Sequence, residues 1–252
     1  MIGVSCTGFS NRPIDERAGQ VSEHFRLWEI FSEADNCVYS DPEGIRGIIE
    51  SHGLECQVHA PICDWNIAAM SDRLRDASIQ ETIANIDAAV EIGARMVTVH
   101  PGLTSMAVGG LEDRAVARAR EAMRVLERHV DGMDVTLAIE NMPAPPFFLG
   151  RTASQLLTII DGTDLSVCFD IGHANTMGQI DAMVDTFGDR IANIHIHDNH
   201  GQNDEHLTIG DGTIDFDRVL NRLSGYRGNW IIESKSLESA VQSLSRLEKM
   251  LS

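Results

Sequence analysis

The feature that most constrains this chain is a strict alternation of two hydrophobic periodicities along its length. Short β-like runs of four to seven residues recur at 2–6, 27–31, 54–59, 96–100, 135–140, 165–170, 191–197 and 230–233. Between them the apolar residues step at helical spacing. Ile79, Ile83, Ile86 and Val90 make one stripe, and Val116, Ala119, Met123, Leu126 and Val130 a second. Leu237, Val241, Leu244, Leu247 and Leu251 make a third. Segments 14–25, 45–49, 153–160, 180–187 and 216–223 complete a predicted set of eight helices, with Gly162 and Gly188 standing where helices should stop. Strands and helices in strict βα order demand parallel strands joined by right-handed crossovers. Eight such units close into a barrel more readily than they open into a sheet. No GxGxxG follows the first strand, so nothing supports a dinucleotide-binding sheet. No composition shift or flexible linker divides the chain. The expectation is an α/β fold, a single (β/α)8 TIM barrel that takes residues 1–252 as one domain.

Charge narrows the partners. Twenty Lys and Arg against 38 Asp and Glu leave a net −18, and no run of five basic residues occurs. Such a chain repels phosphate polymers and anionic surfaces, which argues against nucleic-acid and membrane partners. No apolar run approaches the roughly 18 residues that a membrane span needs. Residues 1–6 have neither the basic lead nor the long apolar stretch of a secretory leader. The five cysteines, Cys6, Cys37, Cys56, Cys63 and Cys168, are odd in number and form no CxxC. They read as small buried hydrophobes of a reducing compartment. A cytoplasmic protein without zinc–thiolate chemistry is expected.

Barrels of this kind carry their chemistry at the C-terminal mouth, on strand ends and the loops that follow. From the third strand onward those ends are His59, His100, Glu140, Asp170, His195 (within the seventh run) and Glu233. His173 follows Asp170 by one turn, and Asp204-Glu205-His206 follows the seventh strand. One such residue alone is more often a loop cap. Six in succession at one rim are hard to explain that way, because like charges packed at a mouth repel unless cations neutralise them. The constellation argues for divalent metal, and for more than one ion.

The chain resembles the xylose-isomerase-like TIM-barrel superfamily, which contains sugar isomerases and epimerases together with endonuclease IV. The resemblance runs over nearly the full length. It rests on His59-Ala60-Pro61, Val99-His100-Pro101-Gly102, Ala138-Ile139-Glu140-Asn141, Cys168-Phe169-Asp170-Ile171-Gly172-His173, Ile194-His195-Ile196-His197-Asp198, Asp204-Glu205-His206, Ile209-Gly210-Asp211-Gly212 and Ile231-Ile232-Glu233. It implies one metal held by Glu140, Asp170, His195 and Glu233, as in the isomerases. It further implies that His59, His100, His173, Asp204 and His206 match the five extra ligands with which the endonuclease branch holds three zinc ions. The surroundings differ from a DNA enzyme. The chain is acidic, has two Tyr and three Trp, and follows Glu140 with an apolar Met142-Pro143-Ala144-Pro145-Pro146-Phe147-Phe148 loop. Arg73, Arg75 and Arg151 are the only candidates for a basic rim, too few for a footprint that engages several phosphates.

Two mechanisms fit this mouth. In an isomerase or epimerase, Glu140 and Glu233 trade a proton across a metal-polarised substrate as catalytic base and acid. In a phosphoesterase, metal-activated water attacks phosphorus. The charge and the apolar loop place a sugar or sugar-phosphate isomerase/epimerase first, with zinc or manganese as cofactor, and an endonuclease IV-like phosphoesterase second. His197, Lys235 and Phe147 are candidate substrate contacts. Gly210 and Gly212 offer backbone N–H groups to an anion or simply make a tight turn. Phe147 and Phe148 form a lid over the mouth or a homodimer contact.

Overall fold

Parallel pairing runs without interruption through eight strands and back to the first, so the sheet is a closed barrel in the order β1 to β8. The structure, a computed structural model, describes residues 1–251. The strands are β1 (Ile2–Ser5), β2 (Leu27–Phe31), β3 (Glu55–His59), β4 (Met96–Val99), β5 (Thr136–Glu140), β6 (Ser166–Asp170), β7 (Ile191–Ile196) and β8 (Asn229–Glu233). The helices are α1 (Ile14–Ser22), α2 (Pro42–Ser51), α3 (Asp72–Glu91), α4 (Glu112–Val130), α5 (Ala153–Ile160), α6 (Ile171–Thr176), α7 (Ile180–Phe187), α8 (Phe216–Arg222) and α9 (Leu237–Leu251). Strand bounds agree with the sequence reading to within one residue. The helix count does not: the crossover from β6 to β7 holds two helices, α6 and α7, where one was expected. Residues 23–25 lie beyond the end of α1, and α2 is longer than the 45–49 core of its stripe.

Local chemistry explains the helix starts. Pro42 opens α2 behind Asp41, whose carboxylate accepts from the Gly44 N–H at 3.1 Å. Thr152 caps α5 by accepting from Gln155 N–H at 3.2 Å. On α4, Ala115, Ala119, Ala122, Met123 and Leu126 are buried, the three-and-four spacing of one core-facing stripe. Outward-facing strand residues such as Ile30, Val58, Val97, Ile139, Phe169, Ile194 and Ile232 pack against that helical shell and are buried. Burying each contributes roughly 1.5–3 kcal/mol. Where β1 sits between β2 and β8, only glycine fits: a Cβ on Gly3 would lie 2.8 Å from the Leu27 carbonyl oxygen and 2.9 Å from Ile231 Cδ1.

The inside of the barrel is not uniformly apolar. Glu29 of β2 is fully buried and accepts from Gln57 of β3 at 2.6 Å, from Thr98 of β4 at 3.3 Å and from Asn193 of β7 at 3.3 Å. Asn229 at the start of β8 donates to Gln57 at 3.1 Å and itself accepts from the Met1 amine at 3.3 Å. A thread of polar contacts therefore runs along the axis from near the mouth to the floor. No helix among the described residues is long and apolar enough to cross a membrane.

Candidate metal centre

Because the strands are parallel, their last residues all arrive at one rim. The structure brings the nine candidate ligands marked from the sequence together there, and with them His197, marked as a substrate contact. His59, His100 and Glu140 form one group of potential ligands; Glu140, Asp170, His195 and Glu233 form a second; His173, His197, Asp204 and His206 form a third. Within each group the ligand atoms lie within 4.8 Å of one another. Among the described residues no cysteine joins them.

Glu140 links the first two groups. Its Oε2 lies 3.1 Å from His59 Nε2 and 3.0 Å from His100 Nε2. Its Oε1 lies 3.3 Å from His195 Nδ1 and 3.3 Å from His173 Nδ1. Burial pushes this carboxyl up, but the imidazoles of His100 and His195 outweigh burial and hold it well below the usual carboxylate range. The second group closes through His195 Nδ1, which is 3.1 Å from Glu233 Oε1 and 4.0 Å from Asp170 Oδ2. In the third, Asp204 Oδ2 lies 3.3 Å from His173 Nε2 and 3.0 Å from His206 Nε2, and Asp204 Oδ1 lies 3.3 Å from His197 Nε2.

Each central imidazole has its other nitrogen held by an acceptor. His59 Nδ1 faces the Ala60 carbonyl at 2.8 Å, His173 Nδ1 the Asn141 carbonyl at 2.9 Å, and His195 Nε2 the Glu29 carboxylate at 3.1 Å. That arrangement fixes ring orientation and leaves the opposite nitrogen as a lone pair for a ligand. Burial works against charge on His195, but the surrounding acidic groups, Glu29, Glu233 and Glu140 among them, raise it well above its ordinary value in the metal-free chain. Asn141, the residue after β5, braces the site: it exchanges two hydrogen bonds of 2.9 Å with the Asp170 backbone. Asp170 in turn caps α6 by accepting from the His173 N–H.

Several buried atoms here have no hydrogen-bond partner: Asp170 Oδ2, His197 Nε2 and Asp204 Oδ1. Orphaned donors and acceptors at such depth cost free energy unless something satisfies them. A divalent cation would do so, and the mixed imidazole–carboxylate donor set suits zinc or manganese. The residues present fit the ions.

Other expectations divide. Phe147 and Phe148 line, with Ile62, Trp65, Leu103 and His100, an apolar cavity of about 190 Å³ that borders the first group. Lys235 is exposed, two residues past Glu233 and ahead of α9. Gly210 and Gly212 make a turn, not an anion cradle: both N–H groups donate to Asp198 Oδ2, at 2.9 and 2.8 Å. The proposed basic rim does not form. Arg75 pairs with Glu121, Arg151 donates to the Phe148 and Ala144 carbonyls, and Arg73 is exposed on α3. Glu29 escaped the sequence reading because it sits in mid-strand within an otherwise apolar Leu-Trp-Glu-Ile-Phe run, away from any rim. A lone carboxylate in a fully buried strand was the available signal.

Against known proteins, the family model described as xylose isomerase-like TIM barrel matches residues 21–250. An uncharacterized protein of Methanocaldococcus jannaschii is 35% identical over 99% of this chain and 88% of its own length. A probable endonuclease 4 of Thermoplasma volcanium is 32% identical over 75% of this chain and 72% of its own. Among solved structures, a D-tagatose 3-epimerase-like protein superposes with a TM-score of 0.91 at 30% identity, covering 99% of this chain and 96% of that one.

Proposed function

Since the chain belongs to the xylose isomerase-like TIM-barrel family, we propose that it is a divalent-metal-dependent phosphoesterase acting on a small, sugar-sized ester. One observation carries this reading. Both oxygens of Glu140 are engaged, Oε2 by His59 and His100 and Oε1 by His195 and His173. A carboxylate with both oxygens so engaged is a poor acceptor for a carbon-bound proton. The shuttle between Glu140 and Glu233 that an isomerase needs is therefore handicapped at one end. A carboxylate shared between two ligand groups instead suits hydrolysis, which forms one P–O bond to water, breaks the P–O bond to the alcohol and returns a proton to the alcohol oxygen. Ions bound here would supply Lewis acidity toward phosphoryl oxygens and lower the pKa of water at the site.

The chain's own residues have the remaining tasks. His59, His100 and Glu140 hold one side of the reaction space, and Asp170, His195 and Glu233 the other. Glu233, the least buried carboxylate of the second group, is placed to orient water. Phe147 and Phe148 give the cavity beside His100 an apolar wall. A net charge of −18, with Arg75 and Arg151 both tied to groups of this chain, favours a compact ester over a DNA backbone.

A second reading, sugar epimerisation, draws support from the likeness to the D-tagatose 3-epimerase-like protein and from the Glu140, Asp170, His195 and Glu233 quartet. The test is direct. Zinc- or manganese-loaded protein is incubated with p-nitrophenyl phosphate and its bis-ester, with sugar phosphates, with an abasic-site duplex, and with ketoses in deuterated water. Chelator-sensitive ester hydrolysis without deuterium in any sugar is expected. Deuterium exchange into a ketose without hydrolysis would move the protein to the epimerase reading, and efficient nicking of the duplex would refute the small substrate.

A further inference from the structure

The third group has a donor that the sequence reading left to substrate. His197 follows directly on β7 and is fully buried, with its Nε2 3.3 Å from Asp204 Oδ1 of the third group and 3.4 Å from Asp170 Oδ1 at the edge of the second. Neither His197 Nε2 nor Asp204 Oδ1 has a hydrogen-bond partner. The His197 ring lies parallel to that of His206, with centroids 4.1 Å apart and planes inclined by 9°.

The backbone is shaped around this arrangement. A Cβ on Gly172 would lie 2.1 to 2.5 Å from three atoms of the His197 ring, so the ring occupies space that only glycine leaves open. His206 is held at φ +48°, a left-handed conformation that a histidine adopts only at some cost. The segment between them is tied down as well: Asp198 and Leu207 exchange backbone hydrogen bonds of 3.0 and 2.8 Å. A strained residue and a glycine cradle that converge on two unsatisfied buried atoms make a built site.

We infer that His197 is a fourth protein ligand of the third group, which closes around its ion and holds the 198–213 loop instead of breaking bonds. The donor sets support the division. Three imidazoles and one carboxylate match a closed tetrahedral zinc site. Three carboxylates and one imidazole in the second group suit an ion that expands its coordination to admit oxygen ligands. The first group offers three protein donors and a position left open. This inference rests on the multi-ion half of the proposed function and not on which ester is cleaved.

Cobalt(II) tests it, because four-coordinate cobalt absorbs visible light far more strongly than five- or six-coordinate cobalt. Metal-free protein is titrated with cobalt, and bound metal is counted by elemental analysis. The Glu140→Gln variant, which disables the first two groups, is expected to keep one ion and an intense tetrahedral spectrum. His197→Asn and Gly172→Ala, the second displacing the ring without touching a ligand, are expected to lose that spectrum. They should bind one ion roughly 100-fold more weakly, an order-of-magnitude figure for a disrupted ligand shell. Proteolysis within 198–213 should accelerate while circular dichroism stays unchanged. An ion with the same count, affinity and spectrum in His197→Asn, or no ion in Glu140→Gln, overturns the inference. If esters are not hydrolysed while this cobalt signature appears, the proposed reaction fails and the closed site stands.

Discussion

Glu29 contacts no candidate ion directly, yet it sets the direction in which His195 faces. With its carboxylate 3.1 Å from His195 Nε2, it keeps Nδ1 turned toward Glu140 and Glu233. Glu29→Gln is expected to weaken ion retention at the second group by about 10- to 100-fold, with the fold kept, as competition against a chelator would measure. Protonation at the centre gives a second expectation with a definite sign. Burial opposes charge on His173 and His195, but the neighbouring carboxylates raise both well above their ordinary value. Their contribution to stability is fully present below about pH 6.5 and is lost as pH rises through the higher folded values. Glu140, Glu233 and Asp204 are lowered despite burial by the same imidazoles, so their contribution is present above about pH 4.5 and lost as pH falls. The metal-free chain should therefore be most stable between those limits and lose Tm toward pH 8. Ion-loaded protein should gain Tm over the same range, because ligation requires neutral imidazoles. Parallel pH profiles for the two forms would contradict this account.

Among the elements, strands are the best-read part of the sequence. Parallel strands buried on both faces appear as continuous apolar runs, and strand ends map to the mouth once the barrel is assumed. That is why His59, His100, Glu140, Asp170, His195 and Glu233 could be marked before any coordinates. What the strand pattern hides is which face turns inward and what lies beyond the last paired residue. Glu29 was hidden in the first way. His197 was marked as a substrate contact, but its place beside Asp204 and His206 was hidden in the second way: it stands one residue past the end of β7 at Ile196. The short helix α6 was also unread, since its six residues leave directly from β6 with no intervening loop and carry too little periodicity to register. Caps are more legible, because their chemistry is local. Thr152→Ala should remove the hydrogen bond to Gln155 N–H at the start of α5 and cost about 1 kcal/mol, read as a shift in the urea midpoint at constant slope.

At the scale of the molecule, barrel closure makes every strand a neighbour of two others, with β1 joined to β8 from Ile2↔Trp230 through Ser5↔Glu233. Residues 1–252 are accordingly expected to unfold in one cooperative transition, as a single domain would. Removing bound ions should lower its midpoint without splitting it, by mass action on the folded state alone. Two resolved transitions in a calorimeter would contradict the one-domain reading. The polar thread inside the barrel has a practical consequence as well. The side-chain amides of Gln57 and Asn193 donate to the same carboxylate that faces His195, from a depth no substrate can reach. In a nitrogen-15 spectrum their NH2 signals would act as resident gauges of the centre, shifting as ions enter or leave while contact with anything in the mouth leaves them untouched. Asn229 and the Met1 amine carry the same thread to the opposite end, so events at the mouth can be followed from the floor.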